Sequence, residues 1–183
     1  MHLLLIYSTI DGHTLEICER IAAIVRAAGH QAELAEIGTV SADGLEACDS
    51  IVIGASIRYG HHRPAVKDFI DRHQAALEAR PNAFFSVNAV GRKPHKRQAG
   101  SNPYLRKFLA QIRWKPQQIE VFGGKIEYPR YGFLDRNMIR LIMWITGGPT
   151  DPRSVTDFTD WVQVEAFARR LLPRVLDAGN IRP

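Results

Sequence analysis

Leu3-Leu4-Leu5-Ile6-Tyr7-Ser8-Thr9-Ile10-Asp11-Gly12-His13-Thr14-Leu15 is the stretch that decides how this chain folds. The apolar run Leu3–Tyr7 predicts a strand, and a helical pattern begins near Leu15. Between them lies a hydroxyl-rich loop that opens the helix. Such a loop offers backbone N–H groups, short hydroxyls and a helix N-terminus, which together suit a phosphate. A nucleoside-triphosphate loop would need Gly-Lys-Ser/Thr, whereas His13 follows Gly12. A dinucleotide fingerprint would need three spaced glycines, and the loop has one. What remains is a cradle in which Ser8, Thr9 and Thr14 donate to phosphate oxygens while the amides of Ile10, Asp11, Gly12, His13 and Thr14 close around them. The plainer alternative is an ordinary strand–turn–helix with Thr14 as N-cap.

Outward from this loop, strand and helix signals alternate. Ile17, Ile21, Ile24 and Ala28 recur at helical spacing, with Cys18, Ala22 and Val25 widening the face and Gly29 as a stop. His30–Ile37 reads as a second strand, and residues 38–48 as a loop with a helical turn. Ser50-Ile51-Val52-Ile53-Gly54-Ala55-Ser56 has the length and β-branched content of a doubly buried parallel strand. Residues 57–63 read as a loop, and Pro64 suits the first position of a helix carrying Val66, Phe69, Ile70, His73 and Leu77. Further strands are predicted over Ala83–Val90 and Ile119–Ile126. Further helices are predicted over Tyr104–Ile112 and Asp160–Leu172. This alternation predicts an α/β chain: an open five-stranded parallel sheet with helices on both faces. We read residues 1–175 as a single domain and 176–183 as a C-terminal tail.

One segment breaks the alternation, an insertion over about 128–157 beside the fifth strand. Within it, Phe133–Ile145 patterns as a helix whose apolar face, from Leu134 through Met138, Ile139, Leu141, Ile142 and Met143 to Ile145, is very broad. Asp135 is close enough to its start to cap it. Three destinations fit such a helix: a membrane interface, the protein's own sheet, or a homodimer contact.

The 183 residues, 45% hydrophobic and 23% charged, suffice for one sizeable core. No apolar run reaches the roughly 18 residues of a membrane span, and the N-terminus reads as a strand rather than a signal peptide. Cys18 and Cys48 fit small buried hydrophobes in a reducing compartment better than a disulfide or zinc framework. The formal charge of +5 is uneven: Ala79 to Ile119 contains no Asp or Glu but nine Lys and Arg. That basic stretch would attract an anionic small molecule, an anionic membrane or nucleic acid.

In an open parallel sheet, ligands sit outside the carboxyl ends of the strands, where loops 8–14, 56–63 and 88–100 converge. A planar ring there would be walled by Ser56, Ile57, Arg58, Tyr59 and Gly60 on one side and by Ala89, Val90 and Gly91 on the other. Asn88 would meet the ring edge, with Arg92 and Lys93 nearby. With a phosphate loop beneath, this describes an FMN site. The loop Ser8–Thr14 resembles the phosphate loop of flavodoxins. More narrowly, Ser8–Thr14, Ile53–His61, Phe85–Asn88 with Arg92-Lys93-Pro94, Tyr128–Tyr131 and Leu141–Met143 together resemble the HemG-type, quinone-dependent protoporphyrinogen IX dehydrogenases. That resemblance implies a flavodoxin-like fold, FMN, protoporphyrinogen IX as electron donor and a membrane quinone as acceptor. With the broad apolar helix and the basic surface, we expect a peripheral place on the cytoplasmic face of the bacterial inner membrane. Arg92, Lys93, Lys96 and Arg97 become candidate partners for the substrate's propionates, and the basic surface would favour anionic lipid. No side chain is assigned as catalytic acid or base, because the flavin carries the redox step. His61, His62 and His95 lack the further ligands of a metal site.

Three rival readings stand beside this one. A flavodoxin-type electron carrier would normally be acidic and lack the insertion. A soluble NAD(P)H:quinone reductase would need a nicotinamide site, for which no motif is evident. Nucleic-acid binding explains the charge but leaves the strand-end loops unused.

Overall fold

A computed structural model describes residues 1–172; the tail expected at 176–183 lies outside the described residues. The elements are β1 (His2–Ser8), α1 (His13–Ala27), β2 (Gln31–Glu36), α2 (Ala42–Glu46), β3 (Ser50–Arg58), β4 (His61–His62), α3 (Pro64–Glu78) and β5 (Asn82–Asn88). There follow α4 (Pro103–Leu109), β6 (Gln118–Gly123), β7 (Lys125–Glu127), α5 (Phe133–Thr146), β8 (Val155–Asp157) and α6 (Trp161–Leu171). Five parallel strands run in the order β2-β1-β3-β5-β6, the doubly wound arrangement that the alternation predicts.

Alternating residues of each strand feed two cores. Leu4, Ile6, Ile51, Ile53 and Phe84 pack under α3 and α4, while Leu3, Leu5, Val52 and Phe85 pack under α1 and α6. Burial on both faces is why these strands read as continuous apolar runs. Cys18 and Cys48 are both buried, free thiols, as expected.

The differences from expectation gather at the carboxyl edge of the sheet, and each has a local cause. The expected loop after β3 is instead a hairpin: Ile57 pairs with His62 and Arg58 with His61. Its turn residues, Tyr59 and Gly60, have φ of 52° and 83°, the left-handed values of a two-residue type I′ turn. The fourth strand stops at Asn88 rather than Val90. The Asn88 side chain accepts the Gly91 N–H at 3.0 Å and winds Ala89–Arg92 into a 3₁₀ turn.

The expected fifth strand divides at Gly123-Gly124. A Cβ at Gly123 would lie 2.2 Å from the Phe158 carbonyl oxygen, so only glycine admits the returning chain there. The Gly124 N–H donates to Asn88 and its carbonyl accepts from Phe158, which takes the chain out of the sheet. Residues 125–127 then pair antiparallel with β8, and this small ribbon frames the insertion. A third cluster of Ile126, Tyr128, Tyr131 and Met143 seats the insertion on the body of the protein.

Candidate active site

β1 delivers Ser8 at its carboxyl end, and the loop 9–12 turns the chain into α1. Gly12, with φ 89°, is the N-cap of α1, and no side chain caps the helix, so the Thr14 N-cap alternative does not hold. The Thr9 hydroxyl accepts the Gly12 N–H at 3.0 Å and braces the loop. Ser8 and Thr14 are both buried, yet Ser8 Oγ and Thr14 Oγ1 have no hydrogen-bond partner among the described residues. Buried hydroxyls are rarely left unpaired. A hydroxyl of that kind in the first turn of a helix is chemically suited to anionic oxygens.

His13 faces away from this cradle. Its Nδ1 lies 2.9 Å from Glu16 and its Nε2 lies 2.6 Å from the Thr159 hydroxyl, which donates to Gly123. The histidine therefore ties α1 to the end of the insertion.

Beside the cradle lies a cavity of about 530 Å³. Of the sequence-predicted residues, Thr9, Ile10, Asp11, His13 and Thr14 line it from the first loop, and Ser56, Ile57, Arg58, Tyr59 and Gly60 from the hairpin. Asn88, Ala89, Val90 and Arg92 line it from the third loop. Ser8, Gly12, Gly91, Lys93, Lys96 and Arg97 do not line it. Arg97 instead pairs with Asp160 at 3.0 Å and donates to the Gly91 carbonyl. The Asn88 amide is also committed internally: Oδ1 accepts from Gly91 and Asn102, and Nδ2 donates to Ser86, whose hydroxyl also meets buried His62 at 3.1 Å. Asn88 therefore shapes the third loop while lining the cavity.

The roof of the cavity is α5. Met138, Ile139, Ile142, Met143 and Thr146 face inward, joined by Tyr131 from the segment before the helix and by Tyr104 from α4. Asp135 does not cap the helix; Gly132 is the N-cap. The Asp135 carboxylate reaches across to Arg58 and to the Tyr59 hydroxyl. Arg58 also meets Asp11 at 3.1 Å and lies over the rings of Tyr59 and Tyr131. Burial alone would lower the Arg58 pKa, but its contacts with Tyr59, Asp11 and Asp135 outweigh burial and raise it. The Tyr59 phenol is likewise raised, chiefly by its bond to Asp135. At the other end of α5, Arg92 donates to the Thr146 carbonyl and hydroxyl at 2.8 and 2.9 Å.

None of the roof residues was singled out from the sequence as part of the site, although the breadth of the apolar face on 133–145 was visible there. That breadth is explained by a helix apolar on two sides. One side covers the cavity. The other exposes Phe133, Leu134, Leu141, Trp144 and Ile145, with Leu134 82% and Trp144 73% accessible. No helix among the described residues is long and apolar enough to cross a membrane.

Comparison with known proteins agrees with this architecture. A model of the flavodoxin domain matches residues 4–153. A protein of Escherichia coli (strain K12), named protoporphyrinogen IX dehydrogenase (quinone), is 44% identical over 171 residues, covering 93% of this chain and 94% of the relative. A Leishmania major protein of the same name is 42% identical over 166 residues, covering 90% of this chain and 72% of the relative. Among solved structures, oxidised flavodoxin 1 from Bacillus cereus superposes with a TM-score of 0.51 at 16% identity, covering 93% of this chain and 97% of that one, a likeness of fold alone.

Proposed function

The chain belongs to the flavodoxin-domain family of quinone-dependent protoporphyrinogen IX dehydrogenases, and from that premise we propose that its cavity holds FMN and oxidises protoporphyrinogen IX to protoporphyrin IX, passing electrons to a membrane quinone. The observation that carries the cofactor assignment is the unpartnered buried hydroxyl of Thr14, which lines the cavity in the first turn of α1, together with that of Ser8 at the end of β1. They and the first-turn amides would hold the phosphate. The hairpin residues Ile57–Gly60 and the third-loop residues Ala89 and Val90 would flank the ring. Bound flavin supplies hydride and electron transfer, and the protein supplies position and electrostatics.

The chain's own residues would do three things. Asp11 and Asp135 hold Arg58 against the ring site and neutralise it locally. The inner face of α5 gives a large apolar donor a dry surface opposite the flavin. The outer face of α5 would lie in the headgroup region of an anionic bilayer, where quinone is dissolved. Arg130 and Arg153, both well exposed, flank the insertion, with Glu127 and Asp151 offsetting their charge.

An anaerobic half-reaction tests the chemistry. Flavin bleaching by protoporphyrinogen and reoxidation by a quinone is the expected result, and bleaching by NADPH alone would replace this reading with the reductase. Cosedimentation with anionic vesicles tests attachment. The double substitution Leu141→Asp, Ile145→Asp should abolish binding without unfolding the chain, and unchanged binding would refute it.

A further inference from the structure

Three cations line the cavity, and they differ in what answers them. Arg58 is bracketed by the carboxylates of Asp11 and Asp135. Lys125 has Glu127 at 2.7 Å and Glu16 at 3.4 Å. Arg92 has no carboxylate within ion-pair distance among the described residues. Its acceptors are the Ala89 carbonyl at 2.8 Å and the Thr146 carbonyl and hydroxyl, and the Phe158 ring lies 5.8 Å away. Desolvation lowers its pKa, with no opposing charge to restore it. A guanidinium has five N–H donors, and these three bonds leave two without an acceptor among the described residues.

The charges therefore run along the roof. The Asp135 end of α5 sets one guanidinium against two carboxylates, while the Thr146 end carries an uncompensated, half-buried cation. Between them the inner face is apolar, through Met138, Ile139, Ile142 and Met143. Eleven residues separate Asp135 from Thr146, a run of about 16 Å at 1.5 Å per residue, comparable with the breadth of a tetrapyrrole.

We propose that Arg92 is the specificity-determining residue for the substrate's carboxylates, and that the macrocycle lies along α5 with its propionate edge at the Thr146 end and its apolar edge beneath Met138 and Ile139. This rests on the function proposed above. A carboxylate at Arg92 would take up its free donors and supply the missing counter-charge, and charge-assisted hydrogen bonds of that kind are the strong ones. Lys93 and Lys96 are not part of this recognition, because neither lines the cavity. Arg97 is occupied by Asp160.

The test compares protoporphyrinogen IX with its dimethyl ester, which has the same macrocycle and no carboxylates. The wild-type protein should favour the acid in kcat/KM. Arg92→Gln should cut that preference at least tenfold, through KM for the acid, while KM for the ester and the rate of flavin reoxidation by quinone hold. Arg92→Lys, which keeps the charge, should retain most of the preference and serves where the Gln variant fails to fold. Lys93→Gln and Lys96→Gln should leave it intact. An acid preference unchanged in folded, flavin-loaded Arg92→Gln, or abolished by either lysine substitution or by Arg92→Lys, overturns the assignment. A wild type that oxidises both donors without discrimination overturns it while sparing the proposed function. A wild type that oxidises neither removes both.

Discussion

Replacing Thr14 by Val should move cofactor affinity and apoprotein stability in opposite directions. Thr14 is fully buried in the first turn of α1, and its hydroxyl has no partner among the described residues. The substitution keeps shape and β-branching and deletes only that hydroxyl. If the hydroxyl donates to a phosphate oxygen, FMN binding loses one hydrogen bond to a charged group, about 1.5–3 kcal/mol. The dissociation constant should then rise roughly 10- to 150-fold, since each 1.4 kcal/mol is tenfold. In the apoprotein the same hydroxyl is a buried polar group without compensation, a cost of about 1–3 kcal/mol. Apo Thr14→Val should therefore be more stable than apo wild type, melting about 2–4 °C higher for each kcal/mol recovered. Fluorescence titration of the apoprotein with FMN reads the first effect, and thermal melts of both apoproteins read the second. An unchanged affinity, or an apoprotein made less stable, would refute the view that this loop is built around an anion.

Gly123→Ala places a Cβ 2.2 Å from the Phe158 carbonyl oxygen. It should cost about 1–3 kcal/mol in urea unfolding, and a neutral outcome would mean that the close approach is not a constraint. His62, buried against Ser86 and beside the charge of His61, has its pKa pushed down from 6.5 to about 4 by burial first and His61 second. The unfolded chain then takes up the proton before the folded one does. His62's contribution is complete above pH 6.5 and is lost as pH falls toward 4, by about 2 kcal/mol between pH 7 and 5. Urea midpoints at those two pH values should diverge for the wild type and less so for His62→Gln. Asp135→Asn cuts the charged tie between α5 and the hairpin. Because both partners are partly exposed, the cost should be under about 1 kcal/mol. Amide hydrogen exchange over 133–139 should quicken while that of β1 and β3 holds, and unchanged exchange would show that the tie does not secure the roof.

Much of this was legible along the chain because it depends on local periodicity. The continuous apolar runs at 3–7 and 50–56 fixed two central strands, since strands buried on both faces show no alternation. The same locality placed the hydroxyls of Ser8, Thr9 and Thr14 in the turn between β1 and α1. The misreadings fall where one residue answers a distant one. Gly123 ends a strand because Phe158 returns beside it. Tyr59 takes a left-handed φ where its ring and hydroxyl are held by Arg58 and Asp135. Asp135 abandons capping because Arg58, far away in sequence, is the stronger partner. No window of local pattern contains both members of these pairs.

The sequence by itself determined the doubly wound sheet, the hydroxyl-bearing loop between β1 and α1 and the presence of an unusually apolar inserted helix, because strand burial, turn chemistry and helical periodicity are written within a few neighbouring residues. Tertiary structure alone decided which side of that helix roofs the cavity, and which of the basic residues around it keeps a charge without a carboxylate partner. Arg58 is silenced by carboxylates brought from two other elements and Arg97 by Asp160, whereas Arg92 meets only neutral acceptors. A side chain's net charge environment is a sum over neighbours in space, and chain order does not record that sum.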